Sequence, residues 1–310
     1  MPIKIRKGWE IPEREATPEG LLSRRHFLGG MSAAGSFLWA GCVSRAQTDA
    51  PPTPPPPALR ARRDARFALD PLTDEAVAGR YNNFYEFTDS KDVYRHVGKY
   101  RTRPWTVEVT GLVQKPRTWD LDDLLKLPLE ERLYRHRCVE RWYMDVPWIG
   151  VPLRTLLDAS QPLGRARYVR FVSLLRKDEM PGQNASWYPW PYYEGLTLGE
   201  ARNELTLACV GLYGHELPKQ HGAPFRVVVP WKYGYKGPKA VVRIELVEKQ
   251  PRTFWSDLQP HEYGFESNVN PSVPHPRWSQ ATEQSIDGKR TRKTVIYNGY
   301  GEWVAGLYQA

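Results

Sequence analysis

The chain has 310 residues, with 44 Lys or Arg against 35 Asp or Glu, 41% apolar and 25% charged residues. That mix is globular and excludes a disordered chain, and the lack of any run of eighteen uninterrupted apolar residues excludes a multi-span membrane protein. The formal charge of +9 is not gathered into a Lys/Arg-rich face with interleaved aromatics, so nucleic-acid binding is a poor reading, and the basic excess suits an anionic cofactor or an acidic membrane surface.

The amino terminus reads as an address. Arg24 and Arg25 stand directly before a weakly apolar, small-residue-rich stretch from Gly29 to Val43, the pattern of a twin-arginine export signal. The glycines at 29, 30, 35 and 41 argue against a surface helix there. Cleavage after Ala46 fits the small residues Ser44 and Ala46; lipidation at Cys42 is the rival. Removing residues 1–46 takes away seven basic and four acidic side chains and leaves +6. The twin-arginine route carries folded proteins, often ones already loaded with a cofactor, so a cofactor is expected and the localisation is the periplasm. Residues 47–66 form a proline-rich linker, with Pro51, Pro52 and Pro54 to Pro57 unable to join a helix or a sheet interior. The folded domain is expected over residues 67–310.

Within that domain, Trp105 to Thr110 alternates at period two and stops at Gly111, as a half-buried strand does. Asp120 caps a helix running to Leu127 and closed by Pro128. A short helix is expected over 152–157 with Pro152 in its first turn, and a strand from Tyr168 to Leu175. Thr197 and Glu200 are spaced as a capping box. Phe225 to Val229 and Lys239 to Val247 read as strands, the second with Val242, Ile244 and Leu246 on one face. Helices this few and this irregularly placed do not make a doubly wound sheet, so the fold class is α+β.

Cysteine narrows the chemistry. With the signal removed, Cys138 and Cys209 remain, and in an oxidising compartment two cysteines suggest a disulfide. The flanks favour a different role for Cys138. Arg135, His136, Arg137 and Arg141 surround it with cationic groups that favour the thiolate, a soft metal ligand. Cys209 lies in the apolar run Leu205 to Val210 and reads as a core residue.

Several blocks carry a resemblance: Tyr81 to Phe87, Leu129 to Glu140, Val146 to Gly150, Met180 to Gln183, Gly222 to Arg226, Val229 to Gly237, and Asn268 through His275 to Thr282. Together they resemble the catalytic subunits of periplasmic protein-methionine-sulfoxide reductases, molybdenum-cofactor enzymes of the sulfite-oxidase fold. The resemblance implies Cys138 as the molybdenum ligand and one molybdenum-molybdopterin per chain. It places Asn82, Tyr85 and Glu86 at cofactor contacts. It also places Ser173 where the family commonly has Thr, and Arg226, Gly237, Pro238 and Lys239 where a phosphate monoester is held. His221 stands where a relative carries Asn, and an imidazole N–H can replace an amide donor.

The implied activity is reduction of methionine sulfoxide in oxidised periplasmic proteins by oxygen-atom transfer to the cofactor. No Cys-x-x-Cys-His haem attachment and no Gly-x-Gly-x-x-Gly loop is found, and the resemblance implies a haem-b integral membrane subunit as electron donor. Two alternatives stay open: sulfite oxidation on the same fold, and an exported, non-enzymatic binding module with a Cys138–Cys209 disulfide. Substrate access is expected to be wide, with some of Trp142, Trp148, Trp187, Trp190, Trp231 and Tyr235 lining it.

Overall fold

The computed structural model describes residues 57–309; the export signal, its cleavage or lipidation site and most of the polyproline run lie outside them. Two mixed sheets and short helices make up the described residues, the expected α+β class.

The smaller sheet has five strands in the order β3 (Arg117–Asp120), β2 (Thr106–Gly111), β11 (Val241–Val247), β6 (Tyr168–Ser173) and β7 (Tyr193–Thr197). In β2, Val107 and Val109 are buried while Thr106 is exposed, as its alternation predicts. Gly111 ends it at φ +83°, where a Cβ would lie 2.3 Å from the Leu246 carbonyl oxygen; only glycine fits that turn and that approach. The strand expected to reach Leu175 stops at Ser173, and the one expected from Lys239 begins at Val241. Its inward face also differs from expectation. Val241, Ile244 and Leu246 are buried and Val242 is only half-buried, because the register slips between Val241 and Arg243 and moves the first valine to the core side.

The larger sheet is built on β4 (Glu130–Arg137) and β5 (Trp142–Pro152), an antiparallel hairpin. Around it lie β1 (Arg62–Arg63), β8 (Leu207–Leu212), β9 (His215–Glu216), β10 (Arg226–Val228), β12 (Thr282–Ser285) and β13 (Thr291–Lys293). Arg62 and Arg63, at the end of the proline-rich stretch, pair in parallel with Glu130 and Glu131. Ten of the eleven residues of β5 are buried, which erases the alternation that would have flagged it. Gly150 sits where β5 shifts register against β8, and a Cβ there would be 2.1 Å from the Ala208 carbonyl oxygen.

The helices follow their local signals. Counting from α1 (Glu75–Ala78), α2 (Leu121–Leu125) begins at Asp120, whose carboxylate accepts from the Asp122 amide at 2.9 Å. α3 spans Arg154–Ala159, two residues later than expected, because Pro152 still pairs with Leu207 as the last residue of β5. α4 (Leu198–Arg202) carries the reciprocal Thr197–Glu200 capping box, whose amide-to-side-chain bonds are 3.2 and 2.9 Å long. No described helix is long and apolar enough to cross a membrane.

Candidate active site

Cys138 occupies the turn of the β4–β5 hairpin. Its amide donates to the Trp142 carbonyl, and the Arg141 amide returns to its carbonyl, with Arg141 at φ +75°. The hairpin thus presents the sulfur to a cleft of about 810 Å³, adjoining open solvent included. Two donors point at Sγ: the Glu140 amide at 3.4 Å and Asn83 Nδ2 at 3.6 Å. The Asn83 amide is held by Lys91, whose ammonium binds its oxygen and leaves the NH2 group for the sulfur. Lys91 also pairs with Glu140 at 2.6 Å, and Glu140 accepts from Trp142 Nε1 at 3.2 Å and from the Tyr85 hydroxyl at 3.4 Å. Burial works against the Glu140 carboxylate, but these donors, Lys91 foremost, hold its pKa below the usual range.

The flanking cations do not activate the thiol as their closeness in sequence suggests. Burial, followed by the Glu140 carboxylate, pushes the Cys138 thiol up to about 12. Arg137 turns away to Glu283 at 2.7 Å and Gln280 at 2.7 Å, and Arg141 binds Thr282. Neighbours along a strand point to opposite sides, so adjacency in sequence put these charges next to the cysteine without aiming them at its sulfur. A thiol of this kind ionises when a metal displaces its proton.

The same cleft is lined by Asn82, Tyr85, Glu86, His221, Arg226 and Lys239, so six of the expected cofactor residues converge with Cys138 on one space. Their charge balance is unusual. Arg226 is 2% exposed, its Nε has no hydrogen-bond partner, and its remaining donors reach only the carbonyls of His221 at 2.9 Å and Gly237 at 3.4 Å. Its guanidinium carbon lies 4.8 Å from the centre of the Trp148 ring. Lys239 makes no side-chain hydrogen bond or ion pair among the described residues. Burial and then Arg226 depress its pKa, with the buried Glu86 opposing. Burial pushes Arg226 down to about 10 and His221 to about 3, and holds His136, which lines the same cleft, well below its ordinary value. The Asn82 side-chain amide meets His221 Nδ1 at 3.2 Å. The Asn82 oxygen is buried without a partner. Stranded cations and orphaned polar atoms in a cleft are costly unless an anion with acceptor atoms completes them, so the residues present fit a phosphate-bearing pterin.

Ser173, Gly237 and Pro238 do not line the cleft. The Ser173 hydroxyl, expected to donate to a pterin or phosphate acceptor, donates to the Lys239 carbonyl at 2.7 Å. The Gly237 carbonyl accepts from Arg226, and a Cβ there would lie 2.6 Å from the Val227 carbonyl oxygen; the Pro238 carbonyl accepts from the Val227 amide. These three set the positions of Arg226 and Lys239 from behind.

Of the expected aromatics, Trp142 and Tyr235 line the cleft. Trp148 lies beneath Arg226, Trp231 is fully buried against Tyr308, Trp190 packs on Phe254, and Trp187 is 72% exposed. Sequence reading gave no role to Asn83, Lys91, Glu140, Trp255 or Tyr263, and took His136 only as a cation beside Cys138, a charge that its burial disfavours. Asn83, His136 and Glu140 lie inside the recognised blocks and could have been found from their spacing to Tyr85 and Cys138. Nothing local marks Lys91, Trp255 or Tyr263. Cys138 and Cys209 are both free thiols, which removes the disulfide-based binding module.

Comparison with known proteins agrees with this chemistry. The oxidoreductase molybdopterin-binding domain family matches residues 94–255. Two relatives named protein-methionine-sulfoxide reductase catalytic subunit MsrP are close: one from Burkholderia mallei, 48% identical over 97% of this chain and 94% of its own, and one from Ralstonia nicotianae, 47% identical over 97% and 95%. Among solved structures, the sulfane dehydrogenase SoxCD from Paracoccus pantotrophus aligns with TM-score 0.48 and 16% identity, covering 86% of this chain and 68% of that one. With both relatives matched almost end to end, the chain belongs to the protein-methionine-sulfoxide reductase catalytic subunits, enzymes that reduce methionine sulfoxide with a molybdenum-molybdopterin cofactor.

Proposed function

We propose that Cys138 is the single protein ligand of the molybdenum, and that Asn82, Tyr85, Glu86, His221, Arg226 and Lys239 hold the pterin and its phosphate. The observation that carries this is the buried Arg226, with an unpartnered Nε, in the same cleft as Cys138 and the unpaired Lys239. The bound cofactor supplies two-electron oxygen-atom transfer, taking the oxygen from the sulfoxide sulfur. The chain supplies the surroundings. Asn83 and the Glu140 amide donate to the sulfur and temper its charge, as hydrogen bonds to a ligating thiolate do. The guanidinium of Arg226 and the ammonium of Lys239 offset phosphate charge in a site that burial has dried. Glu140, Tyr85 and Lys91 form a hydrogen-bonded set at the cleft that can hold a proton close to Cys138.

The physiological setting is read from the amino terminus for export and from the family resemblance for substrate and electron donor. The chain is exported folded by the twin-arginine route to the periplasm, where it repairs oxidised proteins and draws electrons from a haem-b integral membrane subunit. Protein purified after native export should contain about one molybdenum and one pterin per chain, and Cys138→Ser should lose the metal and the reductase activity together. Full activity in Cys138→Ser would remove the ligand assignment.

A further inference from the structure

The cleft carries an aromatic cluster, two of whose rings, Trp255 and Tyr263, have no part in the proposed metal and phosphate sites. Trp255, on α5 (Phe254–Leu258), is half-buried; its ring centre lies 5.1 Å from that of Tyr85 and 5.3 Å from that of Tyr263, and all three line the cleft that holds Cys138. The cluster is tied to the reactive end through one chain of contacts: the Tyr85 hydroxyl donates to Glu140, whose amide donates to Cys138 Sγ. It is also firmly built. Phe254 is fully buried against Tyr192 at 4.8 Å and Trp190 at 5.0 Å, which fixes the short helix that carries Trp255. The Trp255 indole N–H makes no hydrogen bond among the described residues, so packing alone sets this ring. Tyr85 meets it edge-on at 76° and Tyr263 is tilted at 42°, so the rings pack against one another as one aromatic wall of the cleft.

We infer that Trp255 and Tyr263, packed beside Tyr85, form the subsite that grips the S-methyl and thioether portion of methionine sulfoxide. The inference rests on the reading of Cys138 as the reactive end of the cleft. The chemistry of the substrate matches the cluster. A sulfoxide sulfur bears partial positive charge and polarises its methyl hydrogens, and both are attracted to the negative faces of aromatic rings. The sulfoxide oxygen is negative; ring faces repel it and leave it toward the Cys138 end.

The test is calorimetric titration of the oxidised holoenzyme, kept without an electron donor so that it cannot turn over, with N-acetylmethionine sulfoxide as the probe. In Trp255→Ala, binding should weaken and KM rise by about tenfold, with kcat within about threefold of wild type and unchanged molybdenum content. Trp255→Phe should recover most of the affinity, because it keeps a ring face. Tyr263→Leu, which keeps apolar volume without a π face, gives the same reading should Trp255→Ala fold poorly, with binding weakened about threefold. Unchanged affinity and KM in folded variants would overturn the subsite, as would a fall in kcat at constant KM or a loss of molybdenum, either of which would assign Trp255 to the cofactor. A wild-type holoenzyme that neither binds nor reduces the probe would overturn the functional reading itself, so the two failures are distinguishable.

Discussion

The ammonium of Lys91 lies 2.6 Å from the carboxylate of Glu140, joining two segments 49 residues apart in the chain directly beside Cys138. Lys91 also fixes the Asn83 amide so that its NH2 group faces the cysteine sulfur. One lysine therefore orders both groups that surround the thiol. Replacing it, as in Lys91→Met, leaves a mostly buried carboxylate without its cation. The protein should lose roughly 1–2 kcal/mol, between the values for exposed and buried pairs, as read by urea unfolding of the cofactor-free protein. Glu140→Gln combined with Lys91→Met should restore part of that loss.

Lys239 and the cofactor should oppose one another in stability. Without cofactor the half-buried lysine makes no side-chain hydrogen bond or ion pair among the described residues and shares the cleft with Arg226, so Lys239→Met should raise the urea midpoint of the cofactor-free protein while lowering the molybdenum and pterin content of exported protein. Full cofactor occupancy in this variant would move Lys239 from the phosphate to the substrate.

His221 makes the cofactor-free protein sensitive to acid. Burial holds its imidazole neutral down to about pH 3, whereas an unfolded chain takes up the proton near its ordinary value of 6.5. Between these values the unfolded state binds the extra proton. Stability is therefore highest above pH 6.5 on this account and falls as pH drops, by about 1.4 kcal/mol per unit at most. His221→Asn, which keeps an amide donor beside Asn82, should flatten the ΔG-against-pH curve between about pH 6 and 4. An unchanged slope would show that another group titrates there.

Gly182 supports the cofactor block from outside the cleft. A Cβ at this position would lie 2.1 Å from the Tyr85 carbonyl oxygen and 2.8 Å from the Glu86 carbonyl carbon, both backbone atoms that cannot swing aside. Gly182→Ala should cost about 1–3 kcal/mol and lower cofactor retention, because it displaces Tyr85 and Glu86 together. Thermal unfolding and metal content measured on the same preparation check both effects.

Chain-local chemistry determined much of this protein. The Asp120 cap, the Thr197–Glu200 capping box and the stop at Gly111 each depend on groups within a few residues, so their signals survive without a fold. The block around Cys138 marked the proposed metal ligand in the same way, and the spacing of short strands and helices gave the α+β class. Tertiary structure decided what depended on direction and distance. The β4–β5 hairpin had no readable period because both faces of β5 are buried. The arginines beside Cys138 are near it in sequence yet bind Glu283, Gln280 and Thr282, while the lysine that orders its surroundings comes from residue 91. Ser173 belongs with the phosphate residues in sequence but spends its hydroxyl on the Lys239 carbonyl, since a strand's register, and not its composition, chooses which side chain reaches the cleft.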